Sequence, residues 1–224
     1  MGHAYIHAQS SARRFGGQPD HYLPIHDFLD ATKQALADPR HRLILHHSLG
    51  TFTAEQRFGH VITTPGKVVP VRVIAEQHIF EDFGRVPTPA ALFEALRPTP
   101  LHTRHLDQDV PERHAALSAA ELGGTPEAHL PVHRFLNAAF ACLPPHQARA
   151  VTHHTYGVHL CTELFGAYIG GVSTAEIART HLWNDLNCIP TPDDMLTLTP
   201  PDWVSRGTIH PDHAPTHASQ EIRL

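Results

Sequence analysis

The feature that most limits what this chain can be is that it is written twice. Phe15-Gly16-Gly17-Gln18-Pro19 lies over Leu122-Gly123-Gly124-Thr125-Pro126 at an offset of 107 positions. The alignment runs without a gap from His7–Gly59 against His114–Gly166, and about 20 of these roughly 53 positions are identical. "GGxPxxxLPxHxFLxA" and "HHxxGxxxxxxxFG" read in both copies. After a stretch of unequal length the match resumes at offset 103, with His78-Ile79-Phe80-Glu81-Asp82 over His181-Leu182-Trp183-Asn184-Asp185. A repeat of this length implies that one supersecondary unit of roughly 80 residues is built twice.

Two copies in one chain also filter residues. Most polar positions differ between them, but five histidines and one aspartate recur: His7/His114, His26/His133, His46/His153, His47/His154, His78/His181 and Asp82/Asp185. Other histidines fail the same test, since His21, His41 and His60 face Ala128, Ala148 and Ala167. The chain holds 22 histidines against 17 lysines and arginines. A drift toward histidine would not by itself produce this selective retention.

The hydrophobic periodicity predicts a mainly α fold. Each unit is read as a small helical bundle, and the two tandem bundles are expected to pack about a pseudo-twofold. In the first unit, residues 4–14 form a helix stopped by Gly16-Gly17, and Tyr22 to Ala37 form a second. A third runs from Arg40 to Arg57 after Asp38-Pro39. Val61 to Arg72 reads as a short β-hairpin around a Pro-Gly turn. Helices over Val73 to Phe83 and Thr88 to Leu96 complete the unit. In the second unit the hairpin is expected to be vestigial or absent. The boundaries are 1–97 for the first unit, 98–111 for a linker, 112–200 for the second unit and 201–224 for an extended tail.

The retained residues have the chemistry of metal ligands. His78 and Asp82, like His181 and Asp185, are four apart and share one helical face, so an imidazole and a carboxylate can meet one ion. With His7, His26, His46 and His47, and their counterparts His114, His133, His153 and His154, each unit offers ligands from four helices, a usual way to build a site inside a bundle. Adjacent histidines on a helix point about 100° apart, so one of His46 and His47 is expected to serve the site while the other packs nearby. The donor set suits a transition metal such as Zn, Mn, Fe or Ni. Glu55 and Glu81 are candidate catalytic bases for metal-assisted hydrolysis of a small-molecule substrate, and neither recurs, facing Thr162 and Asn184. Two other readings stand beside this one. One is a non-catalytic interaction module whose histidines hold a core or a structural metal. The other is a pH switch built on clustered histidine.

Composition excludes more than it assigns. The net charge of −5 offers no field for nucleic acid, and no basic stripe or aromatic platform is evident. No apolar run approaches membrane-span length. Three cysteines, Cys142, Cys161 and Cys188, form no CxxC pair, which argues against a disulfide framework and fits a reducing cytoplasm. Phosphate-binding glycine loops, HExxH and GxSxG are absent. A monomer with an internal pseudo-dimer, or a homodimer, is expected.

The blocks "HAQSSARRFGGQPDHYLPIHDFLDATKQALADPRHRLILHH" and "VPVRVIAEQHIFEDFGRVPTPAAL" resemble a family of short bacterial and phage proteins grouped only as a domain of unknown function. The resemblance covers residues 7–96. The second unit looks like a diverged copy, departing at Arg179-Thr180-His181 and Asn184-Asp185. It implies that the unit exists elsewhere as a single short chain, and it implies no activity.

Overall fold

In the computed structural model, which describes residues 4–104 and 110–205, the two copies have the same order of elements. The first unit comprises α1 (Ala4–Phe15), α2 (Leu23–Asp30), α3 (Arg42–Leu45), α4 (Ser48–Phe58), β1 (Val61–Thr64), β2 (Lys67–Pro70), α5 (Val71–Phe83), α6 (Pro89–Phe93) and α7 (Pro100–Thr103). The second comprises α8 (Pro111–Leu122), α9 (Pro126–Leu136), α10 (Pro145–Thr152), α11 (Thr155–Phe165), β3 (Tyr168–Ile169), β4 (Val172–Ser173), α12 (Thr174–Leu186), α13 (Pro192–Met195) and α14 (Asp202–Ser205). No helix among the described residues is long and apolar enough to cross a membrane.

Local chemistry accounts for the boundaries. Pro sits in the first turn of α6, α8 and α9, where its missing N–H costs nothing. Thr88 and Thr125 cap α6 and α9 by accepting from Ala91 and Ala128. Both hairpins are antiparallel, β1 with β2 and β3 with β4. The second survives as a two-residue ladder, Tyr168 opposite Ser173 and Ile169 opposite Val172, so it is short and present.

Three expectations are corrected. The helix expected over Arg40 to Arg57 is broken at His46-His47, between α3 and α4. His46 leaves the helical region at φ −88°, ψ 54°, and His47 is extended at φ −150°, ψ 173°. His47 then caps α4, its Nδ1 accepting from the Gly50 N–H at 3.2 Å. Gly50 has to be glycine, because a Cβ there would run into the Leu45 carbonyl. His154 and Gly157 repeat the arrangement at the start of α11, against the Thr152 carbonyl. That is the physical content of "HHxxG". Secondly, the segment expected as a linker carries α7, whose His102 is fully buried. Thirdly, the expected tail begins with α14, where Val204 is fully buried. The rest of that segment, 206–224, lies outside the described residues.

The two units share a core. One cluster runs from Ile25, Leu29 and Ile44 in the first unit through Ala148, Val151 and Leu160 in the second, closing over Leu196 and Val204. Equivalent helices meet each other, α3 against α10 and α4 against α11. The polar contacts across the boundary are reciprocal. Arg40 donates to the Leu196 carbonyl at 3.0 Å, and its counterpart Gln147 donates to the counterpart carbonyl, Phe93, at 3.0 Å. Arg42 donates to the Val204 carbonyl at 2.7 Å, while its counterpart Arg149 donates to the carbonyls of His102 and Arg104. This reciprocity is that of a pseudo-twofold in which each unit lends its C-terminal helix to the other. Trp203 packs edge-on to Phe83 at 5.3 Å, with the Arg85 guanidinium 3.9 Å from the ring centre. His102 meets the Met195 carbonyl at 2.9 Å.

Candidate metal centre

Each centre is assembled from four places in its unit. In the first, α1 supplies His7 and Ser11, α2 supplies His26 and Asp30, the α3–α4 break supplies His46, and α5 supplies His78 and Asp82. All are buried. The break at His46 is what turns its ring inward, while His47 turns to its capping role. His47 and His154, expected among the ligands, are thus held on backbone N–H groups away from the cluster.

In the second unit three donor atoms form a tight triangle. His153 Nε2 to His181 Nε2 is 3.2 Å, His153 Nε2 to Asp185 Oδ2 is 3.2 Å, and His181 Nε2 to Asp185 Oδ2 is 3.4 Å. The other carboxylate oxygen, Oδ1, lies 3.0 Å from His114 Nε2. In the first unit His46 Nε2 lies 3.1 Å from His78 Nε2 and 3.4 Å from Asp82 Oδ2. Asp82 Oδ1 lies 3.5 Å from His7 Nε2. Asp30 joins from the other side, its Oδ1 3.6 Å from His78 Nε2 and 3.8 Å from His46 Nε2. For bonds of about 2.0–2.1 Å, ligands at tetrahedral corners stand roughly 3.3–3.4 Å apart. Two groups, Asp30 with His46 and His78, and His114 with His181 and Asp185, bring their ligand atoms close enough to hold a metal ion.

Proton counting points the same way. Two Nε2 atoms 3.1 Å apart can share only one proton, and each also faces a carboxylate oxygen. Such a concentration of lone pairs and negative charge can be balanced by a cation. Both carboxylates meet their share of it within the protein. Burial opposes the charge of Asp82, but hydrogen bonds from His46 and His7 hold it well below the ordinary carboxylate range. Asp185 behaves alike against burial, through His114, His153 and His181. Burial also opposes charge on His7, yet its bonds to Asp82 and Glu81 raise it to about 9. His78 is pushed down to about 4 and His181 to about 3, chiefly by burial, so both rings stay neutral.

His26 and His133 occupy a supporting position. Ser11 Oγ meets His26 Nε2 at 2.9 Å, and His26 Nδ1 meets His78 Nδ1 at 3.0 Å. Ser118, His133 and His181 repeat this at 2.9 Å and 2.9 Å. With both ring nitrogens engaged, His26 fixes the tautomer of His78 and leaves its Nε2 facing the centre. Ser11, buried beside it, recurs as Ser118 and could have been read from the repeat.

The structure separates the two glutamates. Glu81 lies at the rim of the first centre, accepting from His7 at 2.7 Å, Ser10 at 2.5 Å and Gln77 at 2.8 Å. Glu55 is held elsewhere by Arg72 and, at 2.9 Å, by His60. Sequence reasoning passed over two groups. Arg42 and Arg149 recur in the copies, and each buried guanidinium lies 3.3–3.4 Å from the centre's aspartate. Asp30 faces Asn137, so comparison of the copies could not reveal it.

One sequence profile matches this chain twice: that of a domain of unknown function, DUF6915, over residues 2–101 and again over 110–204. The chain belongs to this family. Its two tandem copies are the two units described above. No curated protein and no solved structure matches.

Proposed function

We propose that the protein binds one transition-metal ion in each unit. In the first unit His7, His46, His78 and Asp82 are the ligand candidates, with Asp30 beside them. In the second they are His114, His153, His181 and Asp185. The carrying observation is the closed triangle of His153 Nε2, His181 Nε2 and Asp185 Oδ2, with edges of 3.2–3.4 Å and an equivalent cluster in the other copy. A nitrogen-rich set with one carboxylate favours Zn, with Mn, Fe and Ni as competitors. Metal-assisted hydrolysis is the chemistry such a centre supports in the first unit, where Glu81 stands at the rim to move a proton from bound water.

A second reading has its own support. Every candidate ligand is buried, which suits a closed structural centre in a non-catalytic module. Elemental analysis of untagged protein, alongside His78→Ala and His181→Ala, tests the first claim common to both. Two ions per chain, falling to one in each variant, is the expected result. No bound ion after incubation with Zn, Mn, Fe or Ni would refute metal binding and leave a purely hydrogen-bonded histidine core.

A further inference from the structure

The two centres are built on one plan, so the positions at which they differ show what has been changed. The ligand candidates and the arginine behind each aspartate recur: His7, His46, His78, Asp82 and Arg42 stand over His114, His153, His181, Asp185 and Arg149. Two carboxylates of the first centre do not recur. Asp30 gives way to Asn137, and Glu81 to Asn184. Each exchange puts a carboxamide in place of a carboxylate, leaving one neutral acceptor oxygen where there were two charged ones.

Both carboxylates bear on the first centre. Asp30 Oδ1 stands 3.6 Å from His78 Nε2 and 3.8 Å from His46 Nε2, and the three groups converge closely enough to hold an ion. Glu81 acts through a ligand candidate. Its Oε2 meets His7 Nδ1 at 2.7 Å, while His7 Nε2 faces Asp82. A carboxylate on the far nitrogen of a ligating imidazole makes that ring a more basic donor. Lys33, 2.7 Å from Asp30 Oδ1, offsets part of the added charge, and Phe140 replaces it in the second copy. This pairing weakens the net field but leaves the donor oxygens in place. The first centre thus offers Asp30 and Asp82 beside its imidazoles. The second offers Asp185 with His114, His153 and His181, the full complement of a tetrahedral ion.

We infer that the duplication has separated the metal preferences of the centres: relative to each other, the first is tuned toward a hard, oxygen-preferring ion of the Mn²⁺ class by Asp30 and Glu81, and the second toward Zn²⁺. This rests on the metal binding proposed above. Carboxylate donors suit Mn²⁺, and a tetrahedral set rich in imidazole suits Zn²⁺. Zn²⁺ outbinds Mn²⁺ at a given nitrogen and oxygen site, so the preference is a ratio that differs between the centres. Asp30 is a ligand in this scheme, and Glu81 is a positioning residue acting through His7.

The test uses the full chain stripped by chelator, with Mn²⁺ as probe, the electron paramagnetic resonance of unbound Mn²⁺ as readout and Zn²⁺ as competitor. Two Mn²⁺ sites are expected, one at least tenfold tighter than the other. The tight site should remain in His181→Ala and be lost in His78→Ala. Zn²⁺ should displace the weakly held Mn²⁺ first. Asp30→Asn with Glu81→Asn, which installs the second copy's residue type, should leave two weak Mn²⁺ sites and still take up two Zn²⁺. The reverse exchange, Asn137→Asp with Asn184→Glu, should create a second tight Mn²⁺ site, a gain that misfolding cannot mimic. Equal Mn²⁺ sites in the unaltered chain, a tight site that survives Asp30→Asn with Glu81→Asn, or a reverse exchange that binds Mn²⁺ no more tightly would overturn the inference. A chain that takes up neither ion refutes metal binding itself, and the inference falls with it. Two bound Zn²⁺ with Mn²⁺ held equally, or not at all, overturn only the division of preference.

Discussion

Adjacent identical residues with opposite duties give the sharpest test of this structure. His46 faces the first centre, and His47 caps α4 through Gly50. Replacing His47 by alanine removes a cap worth about 1 kcal/mol and empties a fully buried ring site, for which large-to-small core changes cost about 2–5 kcal/mol. Because α3 and α4 can collapse partly into the space, a total of roughly 2–4 kcal/mol is expected. At about 2–4 °C per kcal/mol for a chain of this size, the melting temperature should fall by roughly 4–16 °C. Melts of the metal-free protein in chelator isolate that term from ion binding. His47→Asn retains a capping acceptor and should recover about 1 kcal/mol. Metal content should stay at two ions per chain in both His47 variants. His46→Ala should instead lose one ion. If His47→Ala loses the ion and His46→Ala keeps it, the helix break at this dipeptide has been assigned to the wrong residue.

Other outcomes follow from the same contacts. Gly50→Ala drives a Cβ into the Leu45 carbonyl, so the junction must shift, and a loss of about 3 kcal/mol or more is expected in urea melts; a change within about 0.5 kcal/mol would show that the close approach is not there. The metal-free chain should be most stable near pH 6.5. Below 6.5 the unfolded state takes up protons that His47, His78, His154 and His181, depressed to about 4, 4, 3 and 3, refuse, so stability falls as pH drops toward those values. His7, raised to about 9, works in the other direction: its contribution is complete below 6.5 and is lost as pH rises through 9. A stability profile flat from pH 4 to 7 would contradict the neutral buried rings. Ending the chain at Pro200 removes α14 and leaves the buried Arg42 without its Val204 acceptor, which should cost about 2–4 kcal/mol relative to a chain ending at Ser205. Equal melting of the two truncations would argue against the exchanged C-terminal helices.

Much of this was written in the sequence, because duplication acts as an internal comparison. Retention of His7, His78, Asp82 and their counterparts located the centre, since groups needed for one geometry cannot drift independently. The i, i+4 spacing of His78 and Asp82 was sufficient to put both on one face, as helix geometry is local. Helix starts at proline and stops at glycine were legible for the same reason. The break at His46-His47 was not, although its cause lies in the sequence as "HHxxG". Helical periodicity continues across it, and only the fit of Gly50 against the Leu45 carbonyl forces the bend. The role of Arg42 was not legible, because its partners, Asp82 and the Val204 carbonyl, are 40 and 162 positions away. Asp30 left no trace, because its counterpart is Asn137. Asp30 and Arg42 aside, the inventory of the centre was therefore a property of the sequence, being carried by residue types at local spacings. The division between ligand, support and cap and the exchange of C-terminal helices were decided by tertiary packing, which alone brings distant backbone carbonyls and side chains within hydrogen-bonding range.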